Sequence, residues 1–259
     1  DPAPGNMTAV PASHSAPNPP QPTQDISARL QALRTRMAQE GWQAVLVPSS
    51  DPHLSEYLPE RWQGRVWLSG FPGSSGTLLV SATKAAVFTD SRYWEQAEAE
   101  LAGPEVALVK LEGASVPAYM AWLHDLDLPA TQPAILATLA VDGAVMALSH
   151  TKQLQEALGQ AGWQLSTQFD VLDGIWPDRP GLPAAPVYEH ALPYAATSRA
   201  EKLADVREQM HDKGATHHWI TTLDDLAWLL NLRGADVEYN PVFLGHALVT
   251  PDKVSLFVG

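Results

Sequence analysis

Two stretches of this chain repeat one another: LQALRTRMAQEG at 30–41 and LADVREQMHDKG at 203–214. At an offset of 173 (203 − 30), Leu30, Arg34, Met37 and Gly41 fall on Leu203, Arg207, Met210 and Gly214, and Asp51 falls on Asp224. Further on, LLVSATKAAVFTD (78–90) resembles ALVTPDKVSLFVG (247–259) at an offset of 169 (247 − 78), as a few deletions would produce. Whatever unit the first copy builds, the second begins to build again. The first copy runs on past Asp90 into more helices and strands, whereas the second reaches Gly259, the position matching Asp90. Half an α/β layer leaves apolar faces and sheet edges open. The expectation is a chain cut from a longer protein, or one whose remaining half lies in another polypeptide.

The local patterns set out the unit. Asp25 is placed to cap a helix carrying Ile26, Leu30, Leu33 and Met37 at helical spacing, with Gly41 as its stop. QAVLVP (43–48) reads as a buried strand, and further strands are expected at 65–69, 77–81, 85–89, 106–111, 133–137 and 163–167, with helices at 92–101, 116–125 and 145–160. Ala82-Thr83-Lys84 joins two short apolar runs into a hairpin. Strands alternating with helices indicate an α/β fold with mixed sheets flanked by helices. Pro177, Pro180, Pro183, Pro186 and Pro193 mark a linker over 177–196 between a first domain (25–176) and a second, incomplete one (197–259). A second helix begins near Thr197 or Ser198 and ends near Gly214, and an amphipathic one covers Leu226 to Leu230. Residues 1–24, with seven prolines and almost no large apolar groups, read as a disordered tail.

Composition narrows the function. The formal charge is 16 − 29 = −13, with no run of Lys or Arg, so nucleic acid and anionic membranes are excluded as expected partners. There is no cysteine, hence no thiolate chemistry and no disulfide framework. No apolar stretch is long enough for a transmembrane helix, and the first residues lack the pattern of a signal peptide.

The stretch SGFPGSSGTLLV (69–80) has the glycine spacing of a phosphate loop or a nucleophile turn, but it fails both tests. No Lys-Ser or Lys-Thr follows Gly76, and a strand rather than a helix comes next. It reads as a glycine-permitted turn between two strands. The nine histidines form no ligand motif, and His217 and His218 are adjacent in an expected strand, facing opposite sides. His53 and Glu56 share a helical face, with a capping role or a site role both open. Arg92 lies just past a strand end, where α/β sheets present ligand-binding groups. Its guanidinium can grip a carboxylate or carbonyl with paired hydrogen bonds, or can pair locally with Asp90. In NLRGADVEYNPVF (231–243), Asp236, Glu238 and Asn240 either satisfy backbone donors or line a cleft.

Taken in order, VPSSDPHLSEY, WLSGFPGSSGTLLV, FTDSRYWEQA, DGIWPDRP, TTLDDLAWLLNLRGADVEYNPVF and VSLFVG resemble the cytosolic type of Xaa-Pro aminopeptidase, among the creatinase/prolidase-like metallopeptidases. The resemblance runs from about Ile26 to Gly259. It implies two tandem creatinase-like α/β domains ahead of an absent pita-bread catalytic domain, which would hold two divalent metals, typically manganese. This chain would then bind no metal and catalyse nothing alone. It would help bound the cleft of a cytoplasmic enzyme that removes the residue preceding a proline in second position. A homodimer is compatible with this reading. Arg92 matches the arginine of the family's TDGR-like segment and would contact substrate, although Ser91 replaces a common glycine. His53, Asp236, Glu238 and Asn240 would line the cleft. The rival reading is a stand-alone module binding peptides or small acids without hydrolase activity.

Overall fold

The structure, a computed structural model, describes residues 23–101, 103, 105–128 and 136–259. Residues 1–22 of the expected tail lie outside them, and Thr23 and Gln24 belong to the first helix. That helix, α1 (Thr23–Glu40), buries Ile26, Leu30, Leu33 and Met37, the face given by their spacing. Asp25 therefore sits inside the first turn, where its charge complements the helix dipole, and is not the cap. Gly41, at φ 72°, ends the helix in the left-handed region that glycine adopts without strain.

The first unit continues through β1 (Ala44–Pro48), α2 (Gly64–Ser69), β2 (Thr77–Ser81), β3 (Ala85–Thr89), α3 (Trp94–Glu100), β4 (Ala107–Lys110), α4 (Ser115–His124), β5 (Ala137–Ala140), α5 (Leu148–Gln160) and β6 (Trp163–Ser166). The six strands lie in the order β4-β3-β2-β1-β5-β6. β2 is antiparallel to both neighbours and the other pairings are parallel, so the sheet is mixed. Val45, Val47, Leu78, Val80 and Val87 face a layer built from α1, α2 and α3. The alternate residues Leu46, Leu79, Ala86, Phe88 and Leu139 face α4 and α5 through Tyr119, Leu123, Leu154 and Leu158. Each fully buried Leu or Phe contributes roughly 1.5–3 kcal/mol, so the layers are held mainly by these two apolar faces.

Two sequence assignments are corrected. Residues 65–69 form α2 and not a strand: Gly64, Arg65, Leu68 and Ser69 are the buried set, a helical i, i+4 repeat, and Gly70 caps the turn at φ 73°. Three expected residues of the strand at 133–137 lie outside the described residues, and the strand itself runs Ala137–Ala140.

The second unit holds β7 (Tyr188–Glu189), α6 (Arg199–Asp212), β8 (His218–Ile220), α7 (Leu223–Leu230), β9 (Leu232–Arg233), β10 (Gly245–Val249) and β11 (Val254–Val258). Ser198 and Glu201 cap α6 reciprocally. α7 starts three residues earlier than the pattern from Leu226 suggests, because Leu223 is also buried against the core. The sheet order β11-β10-β8 reproduces β3-β2-β1, and the register repeats as well. Leu46 pairs with Leu79 in the first copy, and Trp219 pairs with Leu248 in the second. Ala247 and Val249 are buried under α6 and α7. On the opposite face, which α4 and α5 cover in the first copy, Trp219 is 51% exposed and Phe257 50%.

The proline-rich connection is tied to both units. Arg61 Nη1 donates to the Pro180 carbonyl at 2.9 Å, Arg179 Nε donates to the Arg61 carbonyl at 3.1 Å, and Trp176 stacks on Trp67 at 4.8 Å. On the other side, the Ala185 amide donates to Asp236 Oδ1 at 3.0 Å, and β7 pairs with β9.

Candidate functional site

Arg92 stands where β3 gives way to a short 3-10 turn, Ser91–Tyr93, which Asp90 caps by accepting the Arg92 amide at 3.1 Å. The same carboxylate accepts Nε at 2.8 Å and Nη2 at 2.9 Å, a planar fork matched to a carboxylate. Arg92 thus makes the local pair that its sequence context allowed. The pair is not sequestered: the arginine side chain is 71% exposed. The Arg92 fork holds the Asp90 carboxyl well below the usual carboxylate range, and the arginine is driven further toward its cation, first by the same hydrogen bonds.

The Gly-Ser-Ser-Gly turn buttresses this fork. Ser75 Oγ donates to Asp90 Oδ2 at 3.3 Å, and Ser74 is hydrogen-bonded to the Tyr93 hydroxyl, whose ring lies 5.5 Å under the Arg92 guanidinium. The turn joins a helix to a strand, not two strands. It is anchored from behind by Arg65, which is 3% exposed and donates to Ser49 Oγ at 2.7 Å, to the Phe71 carbonyl at 2.8 Å and to the Gly73 carbonyl. Burial lowers Arg65 to about 10, which still leaves it a cation at neutral pH. Sequence reasoning missed Arg65, although an arginine on the buried stripe of a helix next to a glycine-rich turn is the available signal.

His53 is buried at the junction of the two units. Nδ1 lies 2.8 Å from the Thr221 carbonyl, and since a carbonyl only accepts, Nδ1 carries the proton. Its ring packs at 4.7 Å against His246, which stacks in turn on Trp219 at 5.4 Å. His246 was not singled out by the sequence; it sits 193 residues away from His53 (246 − 53), and only the repeat, which matches it to Thr77 on the β2 edge, could have placed it. Behind the histidine, Asp51 Oδ1 accepts the amides of His53 and Ser55 at 3.0 and 2.8 Å.

In NLRGADVEYNPVF the residues separate. Asp236 is committed to the backbone, accepting from Ala185 and from Leu244 at 3.0 and 2.8 Å. The Asn240 amide closes a turn on the Val237 carbonyl. Glu238 is exposed beside Tyr239, and these two complete a cavity of about 180 Å³ with Tyr57, Trp62, Arg65 and Ser74 of the first unit. The structure therefore brings Glu238 to the turn that supports Arg92, and places Asp236, Asn240 and His53 elsewhere. Among the described residues no group of three or more His, Asp or Glu could hold a metal ion. The arrangement presents an exposed guanidinium fixed by Asp90 and, beyond the Gly-Ser-Ser-Gly turn, an exposed carboxylate at Glu238.

Comparison with known proteins agrees with this architecture. The model of the creatinase/prolidase N-terminal domain matches residues 29–172, and a second model of the same description matches residues 178–259. A probable Xaa-Pro aminopeptidase P of Laccaria bicolor is 41% identical over 237 residues, covering 91% of this chain and 36% of that protein. Its counterpart in Aspergillus niger is 38% identical, covering 91% and 38%. The chain thus spans a little over a third of the length of the curated relatives it matches. Among solved structures, X-prolyl aminopeptidase from Caenorhabditis elegans, described as a cytosolic enzyme with a di-nuclear active site, superposes with a TM-score of 0.80 at 27% identity, over 90% of this chain and 39% of that one. This chain belongs to the creatinase/prolidase N-terminal domain family, and carries two copies of the domain in tandem.

Proposed function

We propose that this chain is the N-terminal, non-catalytic part of an Xaa-Pro aminopeptidase, a hydrolase that removes the first residue of peptides with proline in second position. The observation that carries the reading is the superposition of nine-tenths of the chain on one such enzyme together with the matching identity of the fungal relatives. In this reading Arg92 reaches across the cleft to bind the peptide, and Glu238 forms part of the opposite wall. Hydrolysis uses two divalent metals, manganese by family resemblance, held by a C-terminal domain of the full protein. The di-nuclear site described for the nematode enzyme supports two metals. The half-exposed Trp219 and Phe257, on the face that helices cover in the first copy, support further chain packing there. A cytoplasmic location accords with the nematode enzyme, and no described helix is long and apolar enough to cross a membrane.

The test compares this 259-residue chain with the protein read on past Gly259 in its gene, each supplied with manganese and an Xaa-Pro peptide. The longer protein should cleave and the shorter should not. Equal turnover by the short chain would overturn the proposal.

A further inference from the structure

Tyr239 is held where its side chain gains nothing from its own protein. Its φ is 61°, in the left-handed region that glycine and asparagine enter readily and a bulky residue rarely does. The turn around it imposes this conformation. Val237 and Asn240 form a bridge, the Asn240 amide donating to the Val237 carbonyl at 3.3 Å, and the Val242 amide donates to the Asn240 carbonyl at 2.8 Å. Asp236 ties down the base of the loop through the amides of Ala185 and Leu244. Tyr239 is nevertheless 97% exposed, and its ring has no stacking or hydrogen-bonding partner among the described residues. Asparagine would fit this backbone with less strain and leave no apolar ring in water. The fold alone thus gives no reason for a tyrosine here, and a strained, unpartnered ring is the mark of a residue whose contact lies outside the chain.

Tyr239 borders the cavity of about 180 Å³, across from Tyr57, Leu58, Trp62 and Pro72 of the first unit. Ring faces and aliphatic carbon surround this space, and an apolar ring entering it would stack on Tyr239 and shed water. The charges add a sign. Glu56 and Glu238, both exposed, also line it, so an acidic ligand side chain would meet like charge. The one cation among the described lining residues, Arg65, is buried with its donors committed to Ser49, Phe71 and Gly73. Ser74 belongs to the same lining and is hydrogen-bonded to Tyr93, the residue after Arg92. The cavity and Arg92 therefore flank one turn. An enzyme that removes a single residue has only that residue on the amino side of the bond it cuts, so a further contact on the cleft wall serves residues after the proline.

We propose that Tyr239 is a specificity-determining residue for the position that follows the proline, taking an apolar ring there while the neighbouring carboxylates turn away an acidic side chain. The proposal rests on the aminopeptidase reading and names a subsite within it.

The test measures kcat/KM on the protein read on past Gly259, with manganese, for Ala-Pro-Gly, Ala-Pro-Phe and Ala-Pro-Glu peptides. Cleavage of none of them by the unaltered protein would refute the aminopeptidase reading itself. With cleavage in hand, the phenylalanine peptide should exceed the glycine peptide by about three- to tenfold, as expected for one aromatic stack. The glutamate peptide should rank below both. Tyr239→Asn should bring the phenylalanine-to-glycine ratio close to one, and Tyr239→Phe, which keeps the ring, should preserve it. In urea unfolding of the 259-residue chain, the midpoint of Tyr239→Asn should hold or rise, because the left-handed turn is relieved. A ratio near one in the unaltered protein, a ratio that survives Tyr239→Asn or is lost in Tyr239→Phe, a glutamate peptide that ranks with the phenylalanine one, or a lowered urea midpoint would each overturn the proposal.

Discussion

Asp90 and Arg92, two residues apart, are joined by parallel hydrogen bonds of 2.8 and 2.9 Å, and the same carboxylate also caps the turn that carries the arginine. One side chain therefore fixes both the backbone under Arg92 and the plane of its guanidinium. The pair is exposed, so its value lies in aim and not in stability.

In the full-length protein of this reading, Arg92→Ala should lower kcat/KM for Xaa-Pro peptides by about ten- to a hundredfold, through lost positioning. Asp90→Ala, which keeps the cation but frees it, should cost about tenfold. Arg92→Ala should leave the thermal midpoint in place, because that side chain supports no core, whereas Asp90→Ala, which also removes the cap of the turn, should lower it slightly. Unaltered kcat/KM in Arg92→Ala would remove Arg92 from the cleft.

Arg65 gives the opposite balance. Arg65→Met keeps the apolar stem but leaves Ser49 Oγ and the Phe71 and Gly73 carbonyls without their donor, so urea unfolding should show a loss of about 3 kcal/mol. Arg65→Lys should lose less, since one ammonium can still reach part of that set. A loss within error for both would mean that the turn needs no anchor.

Gly234→Ala is expected to destabilise by about 2 kcal/mol through overpacking. A Cβ there would stand 2.7 Å from Phe243 Cβ and 3.0 Å from the Val242 carbonyl oxygen. Gly159→Ala, a helix position with open space around the new methyl, should be neutral or stabilising in the same denaturation series. Similar effects at both would contradict this account of the 231–243 loop.

Burial, and then the neighbouring His53, lower the proton affinity of His246 below its ordinary value of 6.5. Between the lowered value and 6.5 the unfolded chain binds a proton that the folded chain declines, so stability falls as the pH drops through that interval. The contribution is complete above 6.5 and gone below the lowered value. His246→Phe keeps a ring on Trp219 and removes the titration; its unfolding free energy should depend less on pH across the interval, and an unchanged slope would assign the effect elsewhere.

Much of the fold was legible because it is periodic. The hairpin strands at 77–81 and 85–89 appear where their apolar runs placed them, and β11 begins at Val254, the residue that the repeat matches to Ala85. The misreading at 65–69 has a physical cause: over six residues, an arginine, a β-branched residue and a tryptophan satisfy either period, and only packing against the core selects the helix. The site was less legible. The Asp90–Arg92 pairing is local and could be read. The packing of His53 on His246, and the cavity that Ser74 and Glu238 both line, depend on how two distant stretches dock, which no spacing along the chain encodes.

The proline-rich connection, read in the sequence as a linker, is held at its first end by hydrogen bonds and a stacked pair of indoles, and at its second by hydrogen bonds and the pairing of β7 with β9. It behaves as a splint rather than a hinge. Whatever is built onto the second unit inherits a fixed bearing toward Arg92, so reach across the cleft is measured out by the spacer itself, and lengthening it by a few residues would throw the two walls out of alignment while each unit stayed intact.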